Sequence, residues 1–310
     1  MARAVQIRAH SSDPQEWLAG VLRDRFREVL AERDTALDPA ETEGIHAVRV
    51  AIRRLRSVIR DFAEIVEGFP LRDVRKDLAR LADTLGEVRD TDVAIEALEK
   101  LRKKAGNPEI AKTIDGFIER YRDKRSKAFE KLRPRLSGPA IEKLAMRFEK
   151  ALNSALAQRS LFATSNFEGA KDEIISNRVD DFMKLADSLY DPNQISRLHR
   201  LRISAKHLRY AVELFASSAQ AEKNEIAGEV AKMQSYLGTL HDCDLWIAQF
   251  QAGLKLRKNR ALKGPDRRAA EWLLSQFVNR RNKAYRAALE LWSEWESDNF
   301  LRKLAGGSVS

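Results

Sequence analysis

An all-α protein is predicted, on three observations. The 310 residues include only 14 Gly and 8 Pro, well below ordinary usage, while Ala, Leu, Arg, Glu and Lys dominate, a composition that favours long helices over a sheet with many turns. The prolines, at 14, 39, 70, 108, 134, 139, 192 and 265, stand where helices would start or stop. Between them apolar residues recur with a period near 3.6. Ile45, Val48, Ile52, Leu55, Ile59, Phe62 and Val66 fall at steps of three and four and form one apolar stripe.

Taken in order, the first half gives helices over about 13–34, 41–68, 71–104 and 108–134, opened at Pro14, after Pro39, after Pro70 and at Pro108. Ser137-Gly138-Pro139 breaks the chain, and a linking helix follows at about 139–159. The second half gives helices over about 167–190, 194–218, 221–257 and 265–300. These match the first set because the chain repeats itself. Asp38-Pro39 recurs as Asp191-Pro192, and IHAVRVAIRRLRSVIRDF from Ile45 aligns with LHRLRISAKHLRYAVELF from Leu198, both at an offset of 153. LGEVRDTDV from Leu85 aligns with LGTLHDCDL from Leu237 at 152, and KRSKAF from Lys124 with RRNKAY from Arg280 at 156. Blocks recurring in one order mean duplication. The predicted organisation is therefore two four-helix bundles related by internal pseudo-twofold symmetry: a first repeat over 10–136, a linking helix over 137–165 and a second repeat over 166–302.

Lys plus Arg number 56 against 46 Asp plus Glu, a net charge of +10, while 44% apolar residues exclude a disordered polyelectrolyte. The balance favours anionic partners: nucleic acid, anionic lipid or a phosphate polymer. Cys243, the single cysteine, can form no internal disulfide or Cys-built zinc site, which fits a reducing cytosol. No apolar run approaches the roughly 18 residues of a membrane span, and Met1 to His10 lacks the apolar core of a signal peptide. The cytoplasm is the expected compartment.

His46, Arg49, Arg53, Arg56 and Arg60 are spaced three, four, three and four apart, so they share one narrow helical face, separate from the apolar one. His199, Arg202, Lys206 and Arg209 repeat the spacing, and Glu213 takes the fifth position. Arg54 and His207 flank the stripes at matching positions. A solvated surface is the plain alternative. Against it, the like charges along Ile45 to Asp61 have little local compensation, and the arrangement recurs in both halves. The arginine fork donates paired hydrogen bonds to phosphate and never deprotonates, while lysine adds a mobile point charge. From His46 to Arg60 the stripe spans roughly 21 Å, too long for one small anion and suited to a linear one. Further cations are expected from Lys124, Arg125 and Lys127, their counterparts Arg280, Arg281 and Lys283, and Arg80 with Lys232.

Arg89-Asp90-Thr91-Asp92 and His241-Asp242-Cys243-Asp244 follow Leu-Gly in each half, where glycine bends the helix or admits close packing. The carboxylates are expected to orient stripe arginines through salt bridges. A metal site would need Asp90 or Asp92 to meet His46, or Asp242 or Asp244 to meet His199, and no spacing demands it. His46 and His199 can titrate near neutral pH. No Gly-rich phosphate loop, Ser-His-Asp arrangement or nucleotide-hydrolysis motif is present, so neither catalysis nor a cofactor is expected.

These paired motifs, HAVRVAIRRLR and HRLRISAKHLR with LGEVRDTDV and LGTLHDCDL, resemble the CHAD family, named for its conserved-histidine α-helical domain, over about 10–302. The resemblance implies two four-helix bundles and a basic central surface that binds inorganic polyphosphate, with association to polyphosphate granules. It places the family's His and basic positions on His46, Arg49, Arg53, Arg56, His199, Arg202, Lys206 and Arg209. Many members are fused to a triphosphate-tunnel (CYTH) domain. The repeats here use nearly all the chain, so that activity is not carried over. The expectation is a non-enzymatic polyphosphate binder whose two stripes line one groove or pore. The rivals are a nucleic-acid binder and a histidine-dependent phosphotransfer or phosphohydrolase enzyme. Base stacking would want aromatics among the cations, and only Tyr210 lies beside a stripe, while tryptophans gather at 272–295 in an expected packing helix.

Overall fold

The computed structural model of the chain describes residues 13–65, 71–158, 167–215, 221–255 and 264–306. Every regular element among them is helical. Helix α1 (Pro14–Ala31) starts at Asp13, whose carboxylate accepts a hydrogen bond from the Gln15 N–H at 2.8 Å, and Pro14 occupies a first-turn position where no N–H is needed. The predicted first segment breaks at Glu32, and a short α2 (Arg33–Leu37) follows. Then come α3 (Thr42–Ile65), α4 (Arg72–Arg102), α5 (Pro108–Leu132) and α6 (Gly138–Ala157), with a 3-10 turn at Arg133–Arg135 between the last two. The remainder is α7 (Phe167–Ala186), a 3-10 turn at Asp187–Tyr190, α8 (Ile195–Phe215), α9 (Ala221–Lys255), α10 (Gly264–Ser297) and α11 (Phe300–Leu304), the last unforeseen in the sequence. Val66 and Pro70, residues 10–12 of the first predicted repeat, 159–165 of the linking segment and 166 lie outside the described residues.

The chain divides into two compact units, Met1–Ala97 with Glu119–Ala170, and Leu98–Ile118 with Lys171–Ser310. In the first, α1 packs on α3 and α6. Ile45, Val48, Ile52, Leu55, Ile59 and Phe62, the predicted apolar stripe of α3, are all fully buried, each contributing about 1.5–3 kcal/mol. Phe26 of α1 stacks on Phe148 of α6 with ring centroids 4.4 Å apart. In the second unit Leu201 and Leu208 of α8, Met233 and Leu237 of α9, and Trp292 and Trp295 of α10 share one core. Phe182 of α7 sits 5.9 Å from the Trp292 ring and 5.8 Å from that of Trp295, so these tryptophans are packing residues, as their helix was expected to be.

The repeat also reaches the first helix of each half, where sequence comparison did not detect it. Arg25 pairs with Glu28 at 2.5 Å in α1, and Arg178 with Asp181 at 2.9 Å in α7. Both arginine side chains are 4% exposed, and both pairs hold the same places in the repeat. Each half therefore buries an arginine beside an acid one turn away.

Candidate basic faces on α3 with α4 and on α8 with α9

In the first unit the period that buries the apolar stripe of α3 leaves His46, Arg49, Arg53, Arg56 and Arg60 half-buried on an adjoining face. Helix α4 supplies the surface they lie on. The Arg49 guanidinium crosses to α4, donates to the Ala82 carbonyl at 3.3 Å and rests on Gly86, where a β-carbon would collide with it. The glycine of the repeated Leu-Gly is thus room for an arginine, which is the close-packing reading of that residue.

Helix α4 also adds cations. Burial, then Arg89 and Arg53, push the His46 imidazole below the usual histidine range, with Glu43 opposing. Burial also lowers Arg56, Asp83 opposes, and the neighbouring Arg75 and Arg60 add to the lowering. Arg53 and Arg56 each keep a buried Nε without a hydrogen-bond partner, and among the described residues neither they nor Arg89 form an ion pair. Arg60 differs: it pairs with the buried Asp61 at 2.6 Å and donates to Ser57 Oγ at 3.0 Å. Arg54, 8% exposed, stands apart from this face, because it acts together with Arg25 on the buried Glu28 of α1.

In the second unit His199, Arg202, Lys206, His207 and Arg209 of α8 are likewise half-buried. Arg202 lies over Gly238 of α9, its Nε 3.9 Å from where a β-carbon would stand, and forms no ion pair among the described residues. Arg209 is neutralised by Glu213 at 2.6 Å, the residue that replaces the counterpart of Arg60. His199 meets His241 of α9, Nδ1 to Nδ1, at 3.1 Å. Burial and the Arg202 and Lys206 charges hold His199 below the usual range. Burial, Arg202 and His199 push His241 down to about 4.

The two glycines separate in a test. Gly→Ala inside a helix gains about 1 kcal/mol of helix propensity. Gly238→Ala meets only ordinary contact and is expected to raise thermal stability without changing affinity for an added polyanion. Gly86→Ala must expel the Arg49 guanidinium from the Ala82 carbonyl and is expected to alter affinity, as a binding titration beside a melting curve would show.

Asp92 and Asp244, the last aspartates of the two motifs, bind arginines of α5 and α10 and not those of the stripes. Arg125 donates to Asp92 Oδ1 at 2.5 Å and to the Pro39 carbonyl at 2.8 Å, while Arg281 donates to Asp244 Oδ1 at 2.5 Å and to the Pro192 carbonyl at 2.7 Å. Asp38 and Asp191 close the two turns by accepting from the N–H groups of Ala40 and Asn193, each at 2.9 Å. Arg125 and Arg281, expected among the phosphate contacts, are therefore tied into a joint that unites the Asp-Pro, Leu-Gly and basic blocks of each half. Burial pushes the Asp92 carboxyl up, with Arg125 opposing.

The other expected cations stand exposed: Lys124, with its ammonium 4.8 Å from the Tyr121 ring centroid, Lys127, Arg280 and Lys283. Arg80 is paired with Asp77 and Lys232 with Glu229. Arg75, Arg89 and His241 are the residues missed in the sequence. The signal for the last two was their shared place after Leu-Gly; Arg75 had none. Among the described residues no group of three or more His, Cys, Asp and Glu is placed to hold a metal ion, and no helix is long and apolar enough to cross a membrane.

Long helices, with a His/Arg pattern repeated on the helix after each Asp-Pro turn, define an all-α protein with an internal sequence repeat. The chain belongs to the CHAD domain family, whose pattern matches residues 20–251. It is similar to the uncharacterized proteins Rv2226 and MT2285 of Mycobacterium tuberculosis strains H37Rv and CDC 1551, each 27% identical over 224 residues and 67% of this chain. The chain spans 40% of the length of these relatives. Its fold is similar to the crystal structure of the CHAD domain from the plant Ricinus communis, with TM-score 0.65, 18% identity and coverage of 99% of this chain and 96% of that one. It is also similar to PptA from Streptomyces chartreusis, with TM-score 0.63, 17% identity and coverage of 91% and 99%.

Proposed function

We propose that the chain binds inorganic polyphosphate on the half-buried basic faces of α3 with α4 and of α8 with α9, and does so without catalysing turnover. One observation carries the reading: Arg53, Arg89 and Arg202 are half-buried and form no ion pair among the described residues, and half-buried Arg56 has only the more distant charge of Asp83 to offset it. Removing a charge from water without pairing it costs several kcal/mol, so such groups call for an anion from outside the chain. The spacing along α3 suits a linear anion better than a single small one. Recruitment to polyphosphate granules in the cytoplasm belongs to the same proposal.

Nucleic acid suits these faces less well. Tyr210, the aromatic beside the second stripe, is 6% exposed, and Trp292 and Trp295 are at 4%, so none of them offers a platform for a base. The test is a titration with polyphosphates of defined length across a salt series. Affinity is expected to fall steeply and log-linearly with salt as counterions are released, and RNA at equal phosphate concentration is expected to compete poorly. Affinity indifferent to salt, or RNA displacing polyphosphate phosphate for phosphate, would remove the reading. Phosphate release on adding a divalent metal would move the chain to the enzymes.

A further inference from the structure

His199 and His241 face each other through the same ring nitrogen, with Nδ1 atoms 3.1 Å apart and ring centroids 4.2 Å apart. Two neutral imidazoles satisfy that contact in one way: one Nδ1–H donates and the other Nδ1 accepts. The outer nitrogens are then fixed. The donating ring carries a bare Nε2 lone pair, and the accepting ring carries Nε2–H. Ring geometry turns both Nε2 atoms away from the contact, and neither ring makes another hydrogen bond among the described residues. The neutral pair thus offers a docking anion one donor and one lone pair. Ionised phosphate oxygens only accept, so the lone pair is a mismatch. A proton added at that Nε2 leaves the inner hydrogen bond intact and makes both outer nitrogens donors.

We infer that His199 and His241 form a phosphate contact loaded by a proton: when a phosphate chain occupies the α8 and α9 face, the pair takes up one proton from solvent at the bare Nε2. The inference rests on the phosphate-binding reading above. In the first half the counterpart of His241 is Arg89, which acts on His46 and already carries its donors, so that place needs no proton.

The groups around the pair set its direction. On α8, Arg202 acts on both rings and Lys206 on His199. On α9, Asp242 and Asp244 act on Cys243, and Asp244 is bound by Arg281 of α10; Arg280 of α10 acts on the same thiol. In the turn packed against α8, Asp187 is held by Arg197 and Tyr190 by Glu296. Burial, and then the cationic field of Arg202 and Lys206, lower the proton affinity of the pair when no anion is bound. A bound phosphate chain reverses that field and raises the proton affinity of the pair. Binding consequently tightens as pH falls through the interval between the free and bound values, and is flat well above it.

Calorimetric titration of the full chain with long-chain polyphosphate, whose titrating end groups are a negligible fraction, tests this at about pH 6.5. Two buffers of different ionisation enthalpy give the protons taken up on binding. The wild type is expected to take up about one proton more than His241→Arg, and its affinity to rise by up to about tenfold per unit fall in pH where the variant's rises less. His241→Asn, which cannot take a proton, gives the same comparison should the arginine disturb folding. Equal uptake and parallel pH profiles in wild type and variants that all bind would overturn the inference and leave polyphosphate binding standing. Absence of wild-type binding at every pH would remove both.

Discussion

Replacing Arg49, Arg53 and Arg56 together by alanine is expected to abolish polyphosphate binding on the α3 face while leaving the helical circular dichroism signal intact. A hydrogen bond to a charged group contributes about 1.5–3 kcal/mol, so losing three such contacts lowers affinity by at least about a thousandfold. The fold has less to lose. Arg53 and Arg56 form no ion pair among the described residues and leave buried Nε atoms unmatched, so truncating them removes an unfavourable burial along with the stems. Thermal midpoints are expected to stay level or to rise. The matching change on α8, Arg202, Lys206 and Arg209 to alanine, is expected to cost less affinity, because Arg209 already spends its charge on Glu213. A triple α3 variant that binds as the wild type does would end the assignment of this face.

Helical period explains both what was legible in the sequence and what was not. Steps of three and four in α3 specify an angle about that helix's own axis, which is enough to separate the buried apolar stripe from His46, Arg49, Arg53, Arg56 and Arg60. They do not say which neighbour covers the rest. Arg54 reads as a flank of the stripe until α1 is seen to bring Glu28 and Arg25 against it. Arg75, Arg89 and His241 belong to the following helices, and a pattern confined to one helix has no means of placing them. Arg60 and Arg209 fall on the face as expected, yet their own helices supply Asp61 and Glu213 to neutralise them. Duplication was the stronger signal because it filters chance. Blocks that recur in the same order mark residues with fixed partners, and Asp-Pro, the second aspartate after Leu-Gly and the arginine in second place of the last block prove to be partners of one another.

That joint sets the largest expected loss of stability. Arg125 and Asp92 have side chains 15% and 3% exposed, and Arg281 and Asp244 13% and 8%. Asp92→Ala leaves the Arg125 guanidinium to the Pro39 carbonyl, and removing one partner of a buried ion pair costs about 3–5 kcal/mol. An unfolding free energy from chemical denaturation lowered by that amount, with Asp244→Ala behaving alike, is the expected result. Removing both charges is different in kind. Asp92→Leu with Arg125→Met replaces the pair by apolar groups of similar bulk, and such exchanges are often neutral or stabilising, so the double variant is expected to recover most of the loss. If Arg125 serves the turn and not the ligand, the recovered protein also keeps its polyphosphate affinity. Stability restored without affinity would return Arg125 to the phosphate contacts, where its sequence neighbours Lys124 and Lys127 had placed it. A double variant no more stable than Asp92→Ala would show that the arginine's bond to the Pro39 carbonyl, and not its charge, secures the start of α3.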